Sequence, residues 1–303
     1  MNNVLNKINK TMQKGNTFLI VIASLAALIL ISSLCVVLFA GDSRGTGTPA
    51  NDVISSGDDN TIVVTDIYQG EITIPKFSYA VNTYDLNSFT SESDGKISYP
   101  GSYVGIDVSE HNQTIDWEKV AASGIDFVMI RAGYRGYTRG RTFDDSTFEA
   151  NIQGATENGI KVGLYFFSQA ITTAEAEEEA SFVLSMIGDY DIDYPIVFDW
   201  ENITGDEART DSIDGETVSQ IAAAFCNKIK KAGYNTAVYI NKTQAYGFYN
   251  LDTIKAYDIW YAEYQAKPSL YYDFTMWQYT CDGTIDGIDG TVDYNISFKN
   301  YSN

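Results

Sequence analysis

From Tyr103 onward, short apolar runs alternate with amphipathic stretches that close on glycine, the punctuation of repeated strand–helix units. The runs predict strands over 104–108, 127–132, 162–167, 196–199, 237–240, 259–262 and 276–279. Periodic apolar positions over 117–123, 144–158, 173–187 and 215–232 predict the helices between them. Gly124, Gly159 and Gly233 each follow a helical stretch, at the position where a left-handed residue ends a helix. Carboxylates and aromatics recur at the ends of many strands. An open sheet concentrates its site at one switch point, so the pattern predicts a closed α/β barrel over 101–303. The last three strands lack helical segments of normal length between them, so the barrel is expected to be irregular.

Upstream the pattern is different. Residues 18–40 contain no charge, and at about 1.5 Å per helical residue they can cross a hydrocarbon core of roughly 30 Å. This predicts a transmembrane helix. A cleaved signal peptide fits less well, because the run exceeds the usual apolar region and Leu38 spoils a small-x-small cleavage pair before Ala40. Lys7, Lys10 and Lys14 precede the span, while Asp42 and Arg44 cancel after it. The 1–17 tail is therefore expected in the cytoplasm and everything after Gly41 outside the cell. Residues 41–100 read as a linker or stalk: a polar Gly/Ser/Thr-rich spacer, then β-prone pieces such as Thr61–Val64 and Glu71–Ile74, forming either a stalk or a small wrapping segment.

Charge narrows the partners. Forty acidic residues face twenty basic ones, a net charge of −20, and an anion of that size does not neutralise phosphate backbones, so no nucleic-acid partner is expected. With one histidine, His111, clustered-His metal sites are excluded and a serine triad is disfavoured; a loop histidine holding a hydrogen bond is the plainer reading. Of three cysteines, Cys35 lies in the apolar run, leaving Cys226 and Cys281 either as one bridge or as two inert thiols. The Asp/Gly-rich stretch 282–293 lacks EF-hand spacing and reads as a turn-rich hairpin. No metal and no cofactor is expected.

The chemistry concentrates in carboxylates. Pro195-Ile196-Val197-Phe198-Asp199-Trp200-Glu201 is an apolar strand ending in two acids at i and i+2, on one face, with Trp200 on the other. A solvated strand end, or a salt bridge to Arg131 or Arg209, is the structural alternative to a catalytic role. Asp107 ends the first strand and Asp293 lies near the C-terminus; in a closed barrel first and last strands are neighbours, so all four acids can converge, a turn-capping aspartate being the alternative for each of these two. Crowded together, the least solvated should hold its proton near neutrality, and we assign that part to Glu201. Tyr134, Tyr165, Phe167, Tyr239, Trp260, Tyr261, Trp277 and Tyr279 fall at or near strand ends, where aromatic faces pack on sugar C–H surfaces; for any one of them core packing is the plainer account, and the pattern is the signal.

Seven motifs in series then resemble family-25 glycoside hydrolases, the muramidases of bacteria and phages. They are Gly105-Ile106-Asp107-Val108-Ser109, Ile115-Asp116-Trp117, Ile130-Arg131-Ala132-Gly133-Tyr134, Val162-Gly163-Leu164-Tyr165-Phe166-Phe167, Phe198-Asp199-Trp200-Glu201, Met276-Trp277-Gln278-Tyr279 and Val292-Asp293-Tyr294-Asn295. The resemblance implies an irregular eight-stranded β/α barrel, TIM-like, and cleavage of the β-1,4 bond from N-acetylmuramic acid to N-acetylglucosamine. It implies Glu201 as general acid/base, Asp199 as its helper, Asp107 and Asp293 shaping the groove, and Gln278 among the substrate-binding residues. His111-Asn112-Gln113 stands where the family commonly has a Gln-Gly pair. The expected partners are a peptidoglycan glycan strand and the membrane, with a wall-spanning assembly as a further possibility. A wall-binding module without activity and a chitinase-like glycosidase are the rivals; an intact acid pair favours the muramidase.

Overall fold

In the computed structural model, residues 53–56 and 59–301 of the 303 are described, with side chains from 59 on. The span expected at 18–40 lies outside them, and among the described residues no helix is long and apolar enough to cross a membrane.

The first strands, β1 (Val53–Ser56), β2 (Thr61–Asp66) and β3 (Gly70–Pro75), form a three-stranded antiparallel sheet. Two short strands, β4 (Thr90–Ser91) and β5 (Ile97–Ser98), pair further on. The segment between is laid along the later part of the chain. Ser78 bonds Asp252 through both its amide (2.7 Å) and its hydroxyl (2.5 Å), Asn82 bonds Leu270 and Tyr271 main-chain oxygens, and the Tyr84 hydroxyl donates to Phe274 O at 2.6 Å. Of the two forms open to 61–99, it takes the wrapping one.

Eight strands close the barrel: β6 (Tyr103–Val108), β7 (Phe127–Arg135), β9 (Lys161–Ser168), β10 (Ile196–Trp200), β11 (Thr236–Asn241), β12 (Asp258–Ala262), β13 (Met276–Gly283) and β14 (Val292–Ser297). Pairing is parallel from β6 through β13 and antiparallel at β13–β14 and β14–β6. The helices α1 (Trp117–Ala122), α2 (Phe148–Glu157), α3 (Thr173–Met186) and α4 (Gly215–Lys231) fall between the earlier strands. Only the short α5 (Lys242–Gly247) and α6 (Leu251–Ile254) lie between β11 and β12, and no helix separates β12, β13 and β14, the irregularity expected. Asp116, Thr172 and Asp214 cap α1, α3 and α4 by accepting backbone N–H bonds. Gly124, Gly159 and Gly233 adopt φ of 76°, 72° and 97° after their helices, as the pattern required.

One boundary moves. The helix expected from 144 starts at Phe148, because β8 (Thr142–Asp144) pairs antiparallel with the end of β7 and uses those residues first. Cys226 is a buried free thiol with Sγ 3.7 Å from Ala237 O, so no bridge joins it to Cys281.

Inside the barrel, one end is plugged by aromatics. Phe127, Met129, Tyr194, Val197, Ala237, Trp260, Met276 and Tyr301 pack together, with the Phe127 and Tyr194 rings stacked at 4.2 Å. Gly105 is required beside them: a Cβ there would lie 2.4 Å from the Phe127 ring. The polar residues of the lumen are thereby confined to the end where the parallel strands terminate. The barrel and its wrapping lie within one compact unit, residues 46–203 and 208–303.

Candidate active site

The strand register places the acids. Asp293 on β14 is the direct partner of Asp107 on β6. Asp199 is level with Tyr239, and Tyr239 with Trp260, so these three side chains share the lumen face across neighbouring strands. Glu201 follows β10 by one residue, on the same face as Asp199. Trp200 points outward and stacks on Phe248 at 5.1 Å.

Two buried glutamines hold the end of β10. Gln244 Nε2 donates to Trp200 O at 2.8 Å and Gln169 Nε2 donates to Glu201 O at 2.9 Å. Gln169 is itself fixed by Thr210 Oγ1, which donates to its Oε1 at 2.8 Å. The backbone that carries both carboxyls is thus pinned from two sides.

Asp107 Oδ2 accepts from Gln278 Nε2 at 2.8 Å and from Asn295 Nδ2 at 2.7 Å. Each amide is held in turn: Gln278 Oε1 accepts from the Tyr239 hydroxyl at 2.7 Å and the Tyr264 hydroxyl at 3.1 Å, and Asn295 Oδ1 from Trp260 Nε1 at 2.7 Å. Both donors favour the charged form of Asp107, yet burial outweighs them and lifts it to about 6. Asp293 is raised well above the carboxylate range by burial and then by the charge of Asp107. Glu201 is pushed up to about 7 by burial and by Asp107. Asp199, 6% exposed, is raised well above its usual value by burial, then by Glu201 and Asp107, with Arg131 opposing.

The expectation that Glu201 is the least solvated acid therefore needs correcting. Asp199 is the more buried, while Glu201 keeps partial access to solvent. Asp199 Oδ1 is also buried with no hydrogen-bond partner.

The salt-bridge alternative fails on the arginines. Arg131 is committed to Asp145 (2.7 Å) and Glu110 (3.0 Å), and Arg209 to Glu175 (2.6 Å). None of Asp107, Asp199, Glu201 and Asp293 has a salt bridge of 4.0 Å or less among the described residues. His111, on the turn after β6, has Nε2 3.5 Å from Arg131 Nη1, and its pKa is lowered by burial and by Arg131. It holds a structural position, as a loop histidine would.

Of the aromatics singled out from sequence, Tyr165, Tyr239 and Trp260 line the lumen; Trp260 meets the other two edge-on at 5.9 and 5.0 Å. Tyr134 lies at the rim, with Arg131 5.3 Å above its ring and Phe143 stacked at 5.2 Å. Tyr261 and Trp277 do not join them. Each is the chain neighbour of a lumen residue and so faces outward: Tyr261 packs on Phe274, and Trp277 on Phe89 with Nε1 donating to Glu263 O. Sequence reasoning missed Asn295, although its motif was quoted, and Tyr264, whose ring is 45% exposed while its hydroxyl reaches Gln278. Its place two residues past an apolar strand end was the available signal.

The chain is similar to known proteins in family and in fold. The model of the family described as glycosyl hydrolases family 25 matches residues 106–288, a stretch holding Asp107, Asp199 and Glu201. The autolytic lysozyme of Clostridium acetobutylicum is 29% identical over 190 residues, 62% of this chain and 54% of that protein. The modular autolysin LytC from Streptococcus pneumoniae is 25% identical, with a TM-score of 0.56 over 82% of this chain and 58% of that one. A family 25 glycosyl hydrolase from Bacillus anthracis, 22% identical, shares the fold at a TM-score of 0.56 over 74% of this chain and 95% of its own. The chain thus spans little more than half the length of the first two.

Proposed function

Because the chain belongs to glycosyl hydrolases family 25, we propose that it is a muramidase that hydrolyses the β-1,4 bond from N-acetylmuramic acid to N-acetylglucosamine in peptidoglycan. The observation that carries this reading is the convergence of four carboxyls on one lumen with, among the described residues, no cation in a salt bridge to any of them. Such crowding keeps protons on carboxyls at neutral pH, which acid-catalysed cleavage of a glycosidic bond needs.

Glu201, near 7 and reachable by solvent, gives its proton to the bridging oxygen as the bond from that oxygen to the sugar C1 breaks. It then takes a proton from the water that completes hydrolysis. Asp199 Oδ1, buried and unbonded, is supplied with a donor when the substrate brings one, and the N–H of a 2-acetamido group is the donor such a sugar carries. Holding that group aligns its carbonyl oxygen to stabilise C1 as positive charge grows there. Burial raises Glu201, and Asp107, the anion fixed by two amides, adds to it. Tyr165, Tyr239 and Trp260 offer ring faces and hydroxyls to the sugars.

The catalytic barrel acts outside the cell in this reading, anchored to the membrane through 18–40, and serves wall remodelling. Sequence supports the anchor: a charge-free run with lysines before it. Alkaline carbonate washing of membranes tests it, and a full chain released by the wash would remove the anchor.

The decisive assay incubates the full chain with purified wall and identifies the new reducing end by mass spectrometry. Muramic acid is the expected sugar. Glucosamine at that end, or no new end at all, overturns the assignment.

A further inference from the structure

The family match begins at 106, so the β2–β3 hairpin at 61–75 lies outside it. Its tip is nevertheless fastened to the rim of the proposed active site. Lys242 Nζ bridges Asp66 at the end of β2 (2.6 Å) and Glu263 just after β12 (3.1 Å). The Asp66 side chain is 1% exposed, so this is a built junction and not a passing surface contact. The Tyr68 hydroxyl donates to Lys267 O at 2.9 Å and accepts from Lys267 N at 3.1 Å. Glu263 in turn accepts from Ser269 N and Oγ at 2.7 and 2.6 Å, closing the loop 263–269 on itself. That loop carries Tyr264, whose hydroxyl bonds Gln278, which bonds Asp107. An unbroken set of contacts therefore runs from the hairpin tip to the acids.

The tip is also where apolar surface remains open. Ile67 is 37% exposed and Tyr68 45%, with Tyr264 at 45% on the loop beside them. The Tyr68 hydroxyl is consumed by the Lys267 main chain, which holds the ring in place and leaves its exposed part available. An immobilised, half-exposed ring on a hairpin fastened to the rim of the proposed active site is suited to the C–H face of a sugar.

We propose that the hairpin tip, through Tyr68 with Ile67, extends the glycan groove and binds a sugar beyond the two that flank the cleaved bond. Its ligand is a further residue of the same polysaccharide strand, and the inference rests on the muramidase reading. The segment before the family domain thus makes the protein select long strands over short ones.

The test uses the full chain carrying E201Q, which binds without turning over, and isothermal titration with glycan oligomers of two, four, six and eight sugars. In this background affinity should rise with length. Y68A should shrink the long-to-short affinity ratio by about fivefold to tenfold, while Y68F, which keeps the ring and loses only the hydroxyl, should retain at least half of it. If Y68A shows the same ratio as its parent, the subsite does not exist. If Y68F falls as far as Y68A, the tyrosine acts by docking the hairpin and the sugar platform is refuted. A parent that binds no oligomer of any length overturns the muramidase reading and this inference with it. Length dependence lost on Y68A alone overturns neither.

Discussion

Asp293 stands directly opposite Asp107 across the β14–β6 pair, and of the two carboxyls only that of Asp107 accepts from side-chain amides among the described residues, from Gln278 at 2.8 Å and Asn295 at 2.7 Å. The asymmetry decides which one is the anion. Asp107 lies near 6, while Asp293, facing that charge from a buried position, holds its proton far higher. Glu201 feels the same anion, so two amides on the floor of the site help to set the acidity of the proposed proton donor.

The pH profile should follow from that coupling. Asp107→Asn deletes the charge that helps raise Glu201, so the alkaline limb of kcat/KM, expected near 7, should move to lower pH by about half a unit to one unit. Asn295→Leu should act in the same direction more weakly, since losing a donor makes Asp107 less anionic. Initial rates on solubilised glycan from pH 4 to 9 give the limb. An unmoved limb in Asp107→Asn would show that Glu201 owes its acidity to burial alone.

Glu201→Gln should reduce turnover by at least about 10³-fold with glycan affinity largely kept, and it should stabilise the fold at alkaline pH. The carboxyl moves from an ordinary value of 4.5 to about 7 on folding. A raised acid adds stability that is complete below 4.5 and disappears as pH rises through about 7, because above that the fold must hold a crowded anion. Removing it should therefore raise stability by on the order of 2 kcal/mol at pH 8 and change little at pH 4.5. Urea melts at the two pH values measure both numbers, and equal activity in the variant would remove the assignment outright.

Asp199→Asn tests the second acid. The amide is nearly the same shape and keeps one acceptor oxygen, yet it can never ionise to strengthen its hold on a bound acetamido N–H. The expected loss is about 10²-fold or more in kcat with a smaller change in KM. A deficit of only a few fold would place Asp199 among the structural residues.

Much of this site could be read from the chain because its signals are local. The apolar run Ile196–Phe198 broken by Asp199 and Glu201 states both a buried strand and an expensive pair of charges. Tyr261 and Trp277 were misplaced for the opposite reason. Whether Trp260 or Tyr261 faces the lumen depends on the register of β12 against β11, and β11 against β10, and register is not written in any one strand. Residues 61–99 were left between a stalk and a wrapping segment because their order comes from partners such as Asp252, Leu270 and Phe274, nearly two hundred positions away. No local pattern encodes such contacts. The four acids were found individually, but the two amides that divide their protons become visible only once β6, β13 and β14 lie side by side.

Behind the site, the Arg135–Glu179 pair offers a test of what holds the barrel mouth. Arg135 ends β7 with its side chain 3% exposed, and Glu179 on α3 is fully enclosed; they meet at 2.6 Å. Ser168 at the end of β9 donates to the second Glu179 oxygen at 2.7 Å, so one carboxyl ties a helix to two barrel strands beside Gln169, the residue that bonds Glu201 O. Arg135 also pairs with the exposed Glu178 at 3.0 Å, whereas Arg135 is the one cation on Glu179 among the described residues, so it is the carboxyl that would be stranded. Arg135→Met should therefore cost about 3–5 kcal/mol, since it strands a buried carboxyl, whereas Arg135→Met with Glu179→Met should recover most of that loss. Denaturation midpoints for the two single variants and the double variant give the coupling. If the double variant proves no more stable than either single one, the pair's role is to pack the junction, and its charges contribute nothing to the order of β7, β9 and α3.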